Sequence, residues 1–138
     1  FAGARCGAVV GPEALIRLLG AVQSPYALET PVVECVEDEL EEEQLALAER
    51  AVAELVLERQ RLMTIIEGFS FVRKVWPSDA NFFLIEVDDP GSVLQRCEEH
   101  RVLLRYFGGP LASCIRISVG SGAENAQLVR AFESLEAS

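Results

Sequence analysis

Residues 71–87 read FVRKVWPSDANFFLIEV, and this stretch decides the fold of the chain. Upstream of it, apolar residues recur at the spacing of an α-helix, whereas within it they alternate at the spacing of a β-strand. Residues 71–75 predict a short strand, residues 76–79 a turn around Pro77, and residues 81–87 a strong strand. The chain therefore changes at this point from helical to strand-rich organisation.

A long amphipathic helix is predicted immediately before this stretch. Positions at helical spacing run from Leu45 to Ile66, all of them apolar except Arg59, and Gly68 marks the predicted end. A helix of roughly twenty residues, at ~1.5 Å per residue, is typical of a segment that spans or joins domains.

The first part of the chain predicts shorter elements. Residues 5–10 predict a strand, and residues 13–19 predict a short helix that begins after Pro12. In the connector that follows, Thr30 is the predicted N-cap and Pro31 the first helical residue of the next helix. The prolines of this connector place the one predicted domain boundary here.

Downstream of the deciding stretch, strands and helices alternate. The predicted elements are a helix from Pro90, a strand over 102–107, a strand over 114–119 and a final helix over 122–136. A few strands followed by helices, with a helix at the end, predict an α+β domain whose helices cover one face of the sheet.

Composition sets the size and class of the protein. The 138 residues are 50% hydrophobic, enough for the core of a single ordinary domain. A mean hydropathy of +0.23 is high for a chain with 25% charged residues. Either a fragment that has lost a packing surface or a compact core explains that value.

Charge and cysteine usage exclude several function classes. A net charge of −10 and a pI near 4.5 disfavour nucleic acid and anionic membranes as partners. No apolar run approaches the ~20 residues that span a bilayer. Cys6, Cys35, Cys97 and Cys114 form no Cys-x-x-Cys pair, and His100 is the single histidine. We therefore predict no metal site, and buried, reduced cysteines that suit the cytoplasm.

Two arginines on predicted strands are candidate ligand-binding residues. Arg116 interrupts an Ile-, Val- and Cys-rich strand, where alternation places it on one face with Cys114 and Ser118. A charge there requires a counter-ion, either an acid elsewhere in the protein or a ligand carboxylate. Arg105 lies on the preceding strand. If the two strands pair antiparallel, both guanidinium groups converge, as a substrate with two anionic groups would require.

The chain begins with a third candidate, Arg5, beside Gly3. Glycine allows the backbone to approach a ligand closely, and an arginine next to such a turn offers donors suited to a phosphate. The alternative is a buried strand with an arginine extended toward solvent at its edge.

Five segments in chain order resemble the histidinol-phosphate aminotransferases, which belong to the class I/II, fold-type I pyridoxal-phosphate aminotransferases. Residues 2–7 match the Ala-Gly-x-Arg-x-Gly part of that family's cofactor-lysine motif. The remaining matches are Pro25-Tyr26-x-Leu28-x-Thr30-Pro31, Asn81-Phe82, Leu104-Arg105 and Ile115-Arg116-Ile117-Ser118-Val119-Gly120.

The resemblance implies a C-terminal portion of a larger enzyme that is α/β as a whole. Residues 1–29 would be the remnant of the large cofactor-binding domain, and residues 30–138 the small C-terminal domain with the interdomain helix. The lysine that forms the Schiff base with the cofactor is expected upstream of Phe1. The chain then contains no catalytic residue and is expected to be inactive alone.

The resemblance also implies site residues and a cofactor. Arg5 would bind the phosphate of pyridoxal 5'-phosphate, Arg116 the substrate α-carboxylate, and Arg105 would lie toward a substrate phosphate. The loop after Arg105 departs from the family, because it contains Tyr106-Phe107 where polar residues are frequent.

The implied reaction converts L-histidinol phosphate and 2-oxoglutarate to imidazole acetol phosphate and glutamate in histidine biosynthesis. The implied partners are small amino acids and 2-oxo acids, and a second copy in a homodimer. Two alternatives stay open. One is another fold-type I enzyme, such as a threonine-phosphate decarboxylase-like or aromatic aminotransferase, and the other is a non-catalytic interaction domain.

Overall fold

A computed structural model of the protein describes Gly3 and residues 5–137. The described residues divide into two compact units, one ending at Arg50 and the other beginning at Ala51, so that the division falls within the third helix. Among these residues, no helix combines the length and the apolar character that crossing a membrane requires.

The first unit is helical. It contains α1 (Glu13–Val22), α2 (Thr30–Glu39) and the first residues of α3 (Glu42–Glu67). α1 begins after Pro12, as predicted, and its first-turn acid Glu13 lies at the positive end of the helix dipole. Glu29 rather than Thr30 is the N-cap of α2, one residue earlier than predicted. Proline is compatible with either first-turn position, because no intrahelical bond uses its missing N–H there.

The predicted strand over residues 5–10 is wrong. Arg5 lies in a turn, and residues 6–10 adopt no regular structure. Val10 is 98% exposed, and no described strand pairs with this segment. A strand needs a neighbour for its N–H and C=O groups, so an apolar run without that neighbour does not form one.

The second unit contains a four-stranded antiparallel sheet. Its strands are β1 (Val72–Val75), β2 (Phe82–Val87), β3 (Arg105–Tyr106) and β4 (Cys114–Ser118), in the spatial order β1-β2-β4-β3. The remaining elements of this unit are α4 (Pro90–Glu99), a 3-10 turn (Gly109–Leu111) and α5 (Gly122–Glu136).

The helices cover one face of this sheet, which confirms the α+β prediction. In β2, Phe83, Ile85 and Val87 are buried, while the residues between them are only half-buried. The inward residues of β2 and β4 form one core with side chains from α3, α4 and α5. Those helical residues are Leu62, Ile66, Val93, Cys97, Leu128, Ala131 and Phe132.

The predicted strand over 102–107 is much shorter than expected, and its first residue, Val102, closes the end of α4 instead. Arg101 has a left-handed backbone, φ 59°, and the N–H of Val102 donates to the carbonyl of Cys97. This is the hydrogen-bond pattern that closes many helices. Of the predicted strand, only Arg105 and Tyr106 pair with β4.

The cysteine prediction holds for the second unit only. Cys97 and Cys114 are buried, and desolvation raises the pKa of the Cys97 thiol to about 12. Cys6 is half-buried and Cys35 is exposed. The expectation that all four are buried was wrong for these two, because the first unit buries none of its described residues.

Candidate functional site

Arg105 and Arg116 lie directly opposite each other on the neighbouring strands β3 and β4. The two strands pair antiparallel, which meets the condition under which the guanidinium groups converge, and paired residues project to the same face of a sheet. For Arg116 this is the face turned away from the helix-covered core, because its neighbours Ile115 and Ile117 are fully buried on the other side. Two like charges in direct register repel each other, and an anion between them would relieve that repulsion.

Arg116 is half-buried and lies over an aromatic ring. Its guanidinium carbon is 5.0 Å from the centroid of Phe82, within the range of a cation–π interaction. Its Nε is buried and has no hydrogen-bond partner among the described residues. Within Gly3 and residues 5–137, Arg116 forms no ion pair, so no internal carboxylate there uses its donors.

Arg105 is exposed and also lies near a ring. Its guanidinium carbon is 5.7 Å from the centroid of Phe107. It has no ion pair with any residue in the described part of the chain. Phe107 is one of the two residues, with Tyr106, that depart from the family pattern, and Arg105 contacts its ring.

The acid on this face of the sheet is Glu86, and it does not lie opposite Arg116. Glu86 of β2 lies opposite Lys74 of β1 on one side and Cys114 on the other, whereas Arg116 lies opposite Leu84. Lys74 is the only lysine of the sequence, and its ammonium lies 3.5 Å from the centroid of the Trp76 ring.

Arg5 is exposed and has a left-handed backbone, φ 56°. Among the residues that the structure describes, it has no ion pair. A Cβ added to Gly3 or Gly7, the glycines on either side of Arg5, would meet nothing within 4 Å, so this turn is open at both glycines. An exposed, unpaired guanidinium at an open turn is chemically suited to a phosphate.

Two residues in contact with Arg116 or with the segment beside it were not recognised as site candidates from the sequence. Phe82 is diagonal to Arg116, because it pairs with Ser118, and only the register between β2 and β4 reveals that relation. Arg59 of α3 is 6% exposed and donates from Nη1 to the carbonyl of Ala80 at 2.7 Å. Its position in an apolar helical stripe was the available signal.

Comparisons with known proteins give matches over almost the whole chain. The family model for class I and II aminotransferases matches residues 1–135. A histidinol-phosphate aminotransferase of Xylella fastidiosa (strain 9a5c) is 33% identical over 139 residues, and the alignment covers 99% of this chain but 38% of the relative. The chain thus spans well under half the length of this curated relative.

Solved structures agree on the fold. The histidinol-phosphate aminotransferase from Clostridium acetobutylicum matches 91% of this chain with a TM-score of 0.78 and 18% identity, over 38% of its own chain. A decarboxylase from Sulfurospirillum multivorans matches 88% of this chain with a TM-score of 0.71 and 22% identity, over 36% of its own. At such identities the likeness concerns the fold alone, and it agrees with the predicted α+β fold as part of a longer chain.

Proposed function

Because the chain belongs to the class I and II aminotransferase family, we propose that it binds the anionic groups of substrate and cofactor in a pyridoxal-phosphate-dependent aminotransferase. One observation supports this most strongly. Arg105 and Arg116 face each other on one sheet face, and neither has a carboxylate partner within the described residues. Two guanidinium groups kept in register without internal counter-ions suit a ligand with two negative groups.

The proposed reaction is amino transfer between L-histidinol phosphate and 2-oxoglutarate, as in histidine biosynthesis. Its support is the name of the relative that aligns over 99% of this chain. The proposal includes small amino and 2-oxo acids as substrates and a homodimer in the cytoplasm. Residues 1–29 would belong to the large domain and residues 30–138 to the small domain of the complete enzyme.

In this proposal the three arginines bind different anions. Arg116 binds the α-carboxylate of 2-oxoglutarate through two parallel N–H donors, and Arg105 binds a second anionic group, the other carboxylate of that substrate or the phosphate of L-histidinol phosphate. Arg5 binds the cofactor phosphate, for which its open, unpaired position is suited. Pyridoxal phosphate, when bound, supplies the carbonyl group and electron-withdrawing ring that amino transfer requires. The lysine that anchors it is expected outside these 138 residues, since the single lysine, Lys74, lies on β1 beside Trp76.

The test uses the complete enzyme that contains this chain. Arg116→Lys keeps the charge but loses the bidentate geometry, so we expect a higher KM. The loss in kcat/KM should correspond to about 2–4 kcal/mol of transition-state stabilisation. The visible absorbance of the bound cofactor should not change. Arg105→Lys should raise the KM for 2-oxoglutarate, which has two carboxylates, more than the KM for a monoanionic amino acid.

Arg73→Lys is the matched control, because Arg73 is exposed on β1 and pairs with Asp88. It should have nearly normal kinetics. In a separate measurement, Arg5→Ala should weaken retention of pyridoxal phosphate, followed by its visible absorbance during dialysis. Normal kinetics of Arg116→Lys toward every substrate, or unchanged cofactor retention in Arg5→Ala, would contradict the corresponding assignment.

A further inference from the structure

We propose that Arg59 and Phe82 are positioning residues for Arg116. Arg59 holds the segment that contains Phe82, and Phe82 holds the guanidinium of Arg116 with its donor groups unoccupied. This inference rests on the proposed function, in which those donors bind a substrate carboxylate.

The contact between Phe82 and Arg116 sets the direction of the arginine side chain. Phe82 and Glu86 lie on opposite sides of Leu84, the residue that pairs with Arg116. The guanidinium carbon lies 5.0 Å from the Phe82 ring centroid, and Arg116 forms no ion pair with Glu86 or with any other described acid. A cation–π contact occupies the face of a guanidinium and leaves the N–H groups in its plane available. Phe82 therefore favours the orientation in which Arg116 is not neutralised internally.

Hydrogen bonds within residues 78–82 hold the backbone of Phe82 in place. The carbonyl of Phe82 accepts from the hydroxyl of Ser78, which in turn accepts from the N–H of Ala80 at 3.1 Å. The carbonyl of Asn81 accepts from the N–H of Val119 at 2.9 Å, which ties the segment to the end of β4. The turn before β2 is thus attached to the strand that contains Arg116.

Arg59 makes the remaining attachment, and it does so from inside the protein. The side chain is 6% exposed, and its Nη1 donates to the carbonyl of Ala80 at 2.7 Å. Its Nε is buried without a partner, and among the described residues it pairs with no carboxylate. Burying a guanidinium without a counter-ion is costly, and an apolar residue of similar size often replaces a buried charge without loss of stability. An apolar residue, however, offers the Ala80 carbonyl no donor. A donor at position 59 is therefore needed to hold the segment of residues 78–82, and this is the positioning role that we assign to Arg59.

The test is a double-mutant cycle in the complete enzyme, with glutarate, an unreactive dicarboxylate, as the probe. We expect Arg59→Met and Phe82→Leu to weaken inhibition by glutarate about 5- to 30-fold, the fold-change that corresponds to a desolvated cation–π contact. Arg59→Lys, which keeps a donor, should recover part of the affinity. In an Arg116→Gln background, Arg59→Met should cause little further loss, because its effect acts through Arg116.

Arg61→Met is the matched control, since Arg61 is an exposed arginine on the same helix. It should leave glutarate inhibition unchanged. If Arg59→Met does not fold, as judged by urea unfolding, Arg59→Lys and Phe82→Leu complete the same cycle. Full additivity with Arg116→Gln, or unchanged glutarate affinity in both single variants, would overturn the inference alone. If Arg116→Gln itself leaves glutarate affinity unchanged, the proposed function fails instead.

Discussion

At the scale of residues, the arginines of the second unit differ in what satisfies their charge. Arg61 and Arg73 each bind a carboxylate at the surface, on Glu58 and Asp88 respectively. Arg116 has an aromatic ring in that place, and its Nε has no partner in the part of the chain that the structure describes. A guanidinium without a carboxylate retains donors for a ligand, so the unpaired arginines, not the paired ones, are the functional candidates.

Glu58 gives a pH prediction at this scale. Hydrogen bonds from Arg61 and then from Asn125 lower the pKa of its carboxyl from 4.5 to about 2. The folded-state pKa is below the unfolded-state one, so the stabilisation is present above pH 4.5 and is lost as the pH falls toward 2. The free energy of unfolding of Glu58→Gln, measured by urea titration, should therefore approach that of the original protein as the pH is lowered across this window.

The variant Arg61→Met offers an internal check on the cause. It removes the largest contribution to the lowered pKa of Glu58, so the pH window of the stabilisation should narrow. A difference between Glu58→Gln and the original protein that stays constant from pH 5 to pH 2 would contradict this account.

At the scale of elements, each helix of the C-terminal half begins with a cap that the sequence displays. Asp89 accepts a hydrogen bond from the N–H of Gly91 at the start of α4, ahead of the first helical residue Pro90. Ser121 and Glu124 form a capping box at the start of α5. The capping box fixes the start of α5 at Gly122, shortly after β4 ends at Ser118, and so limits the length of the strand that contains Arg116.

Ser121→Ala is the prediction for this scale. It removes the hydroxyl that accepts from the N–H of Glu124, and should lower the free energy of unfolding by about 1 kcal/mol. For a unit of this size the melting temperature should fall by about 4–8 °C. Glu133→Gln, at an exposed position of the same helix, is the control. Equal melting temperatures for the two variants would mean that the capping box does not stabilise α5.

At the scale of the whole molecule, the two units differ in what they bury. Every buried residue that the structure describes, from Arg59 to Phe132, lies in the second unit. In the first unit, apolar side chains such as Val10, Leu18 and Val22 are more than half exposed. Burial of apolar surface is the main favourable contribution to folding, so the second unit has its own source of stability.

Limited proteolysis tests this difference. We expect a protease of broad specificity to cleave first within the described residues before Ala51, and mass spectrometry to find a persistent product that begins near Ala51. A separately produced chain of residues 51–138 should unfold cooperatively at the urea concentration that unfolds the core of the whole protein. Loss of cooperative unfolding in that shorter chain would contradict the prediction.

The sequence by itself determined the order and type of the elements in the second unit. Alternation in residues 81–87 and 114–119, and helical spacing before Gly68, depend on which face of one element is apolar, and that is a local property. The same alternation correctly placed Arg116 on one face of β4 and Ile115 and Ile117 on the other face. Candidate residues could be recognised wherever a charge interrupts an apolar period. Arg116 was recognised in this way, and Arg59 carries the same signal but was not recognised.

Only the tertiary structure decided which residues meet. The register of β3 on β4 brings Arg105 opposite Arg116, and that of β2 on β4 brings Phe82 under the Arg116 guanidinium. The apolar run of residues 6–10 has no neighbouring strand among the residues that the structure describes, and the end of α4 takes Val102, the first residue of the predicted 102–107 strand. Except at the end of α4, where Val102 bonds to Cys97 five residues away, these outcomes depend on partners that are distant in sequence. The period of one segment contains no information about the hydrogen bonds that another segment will use.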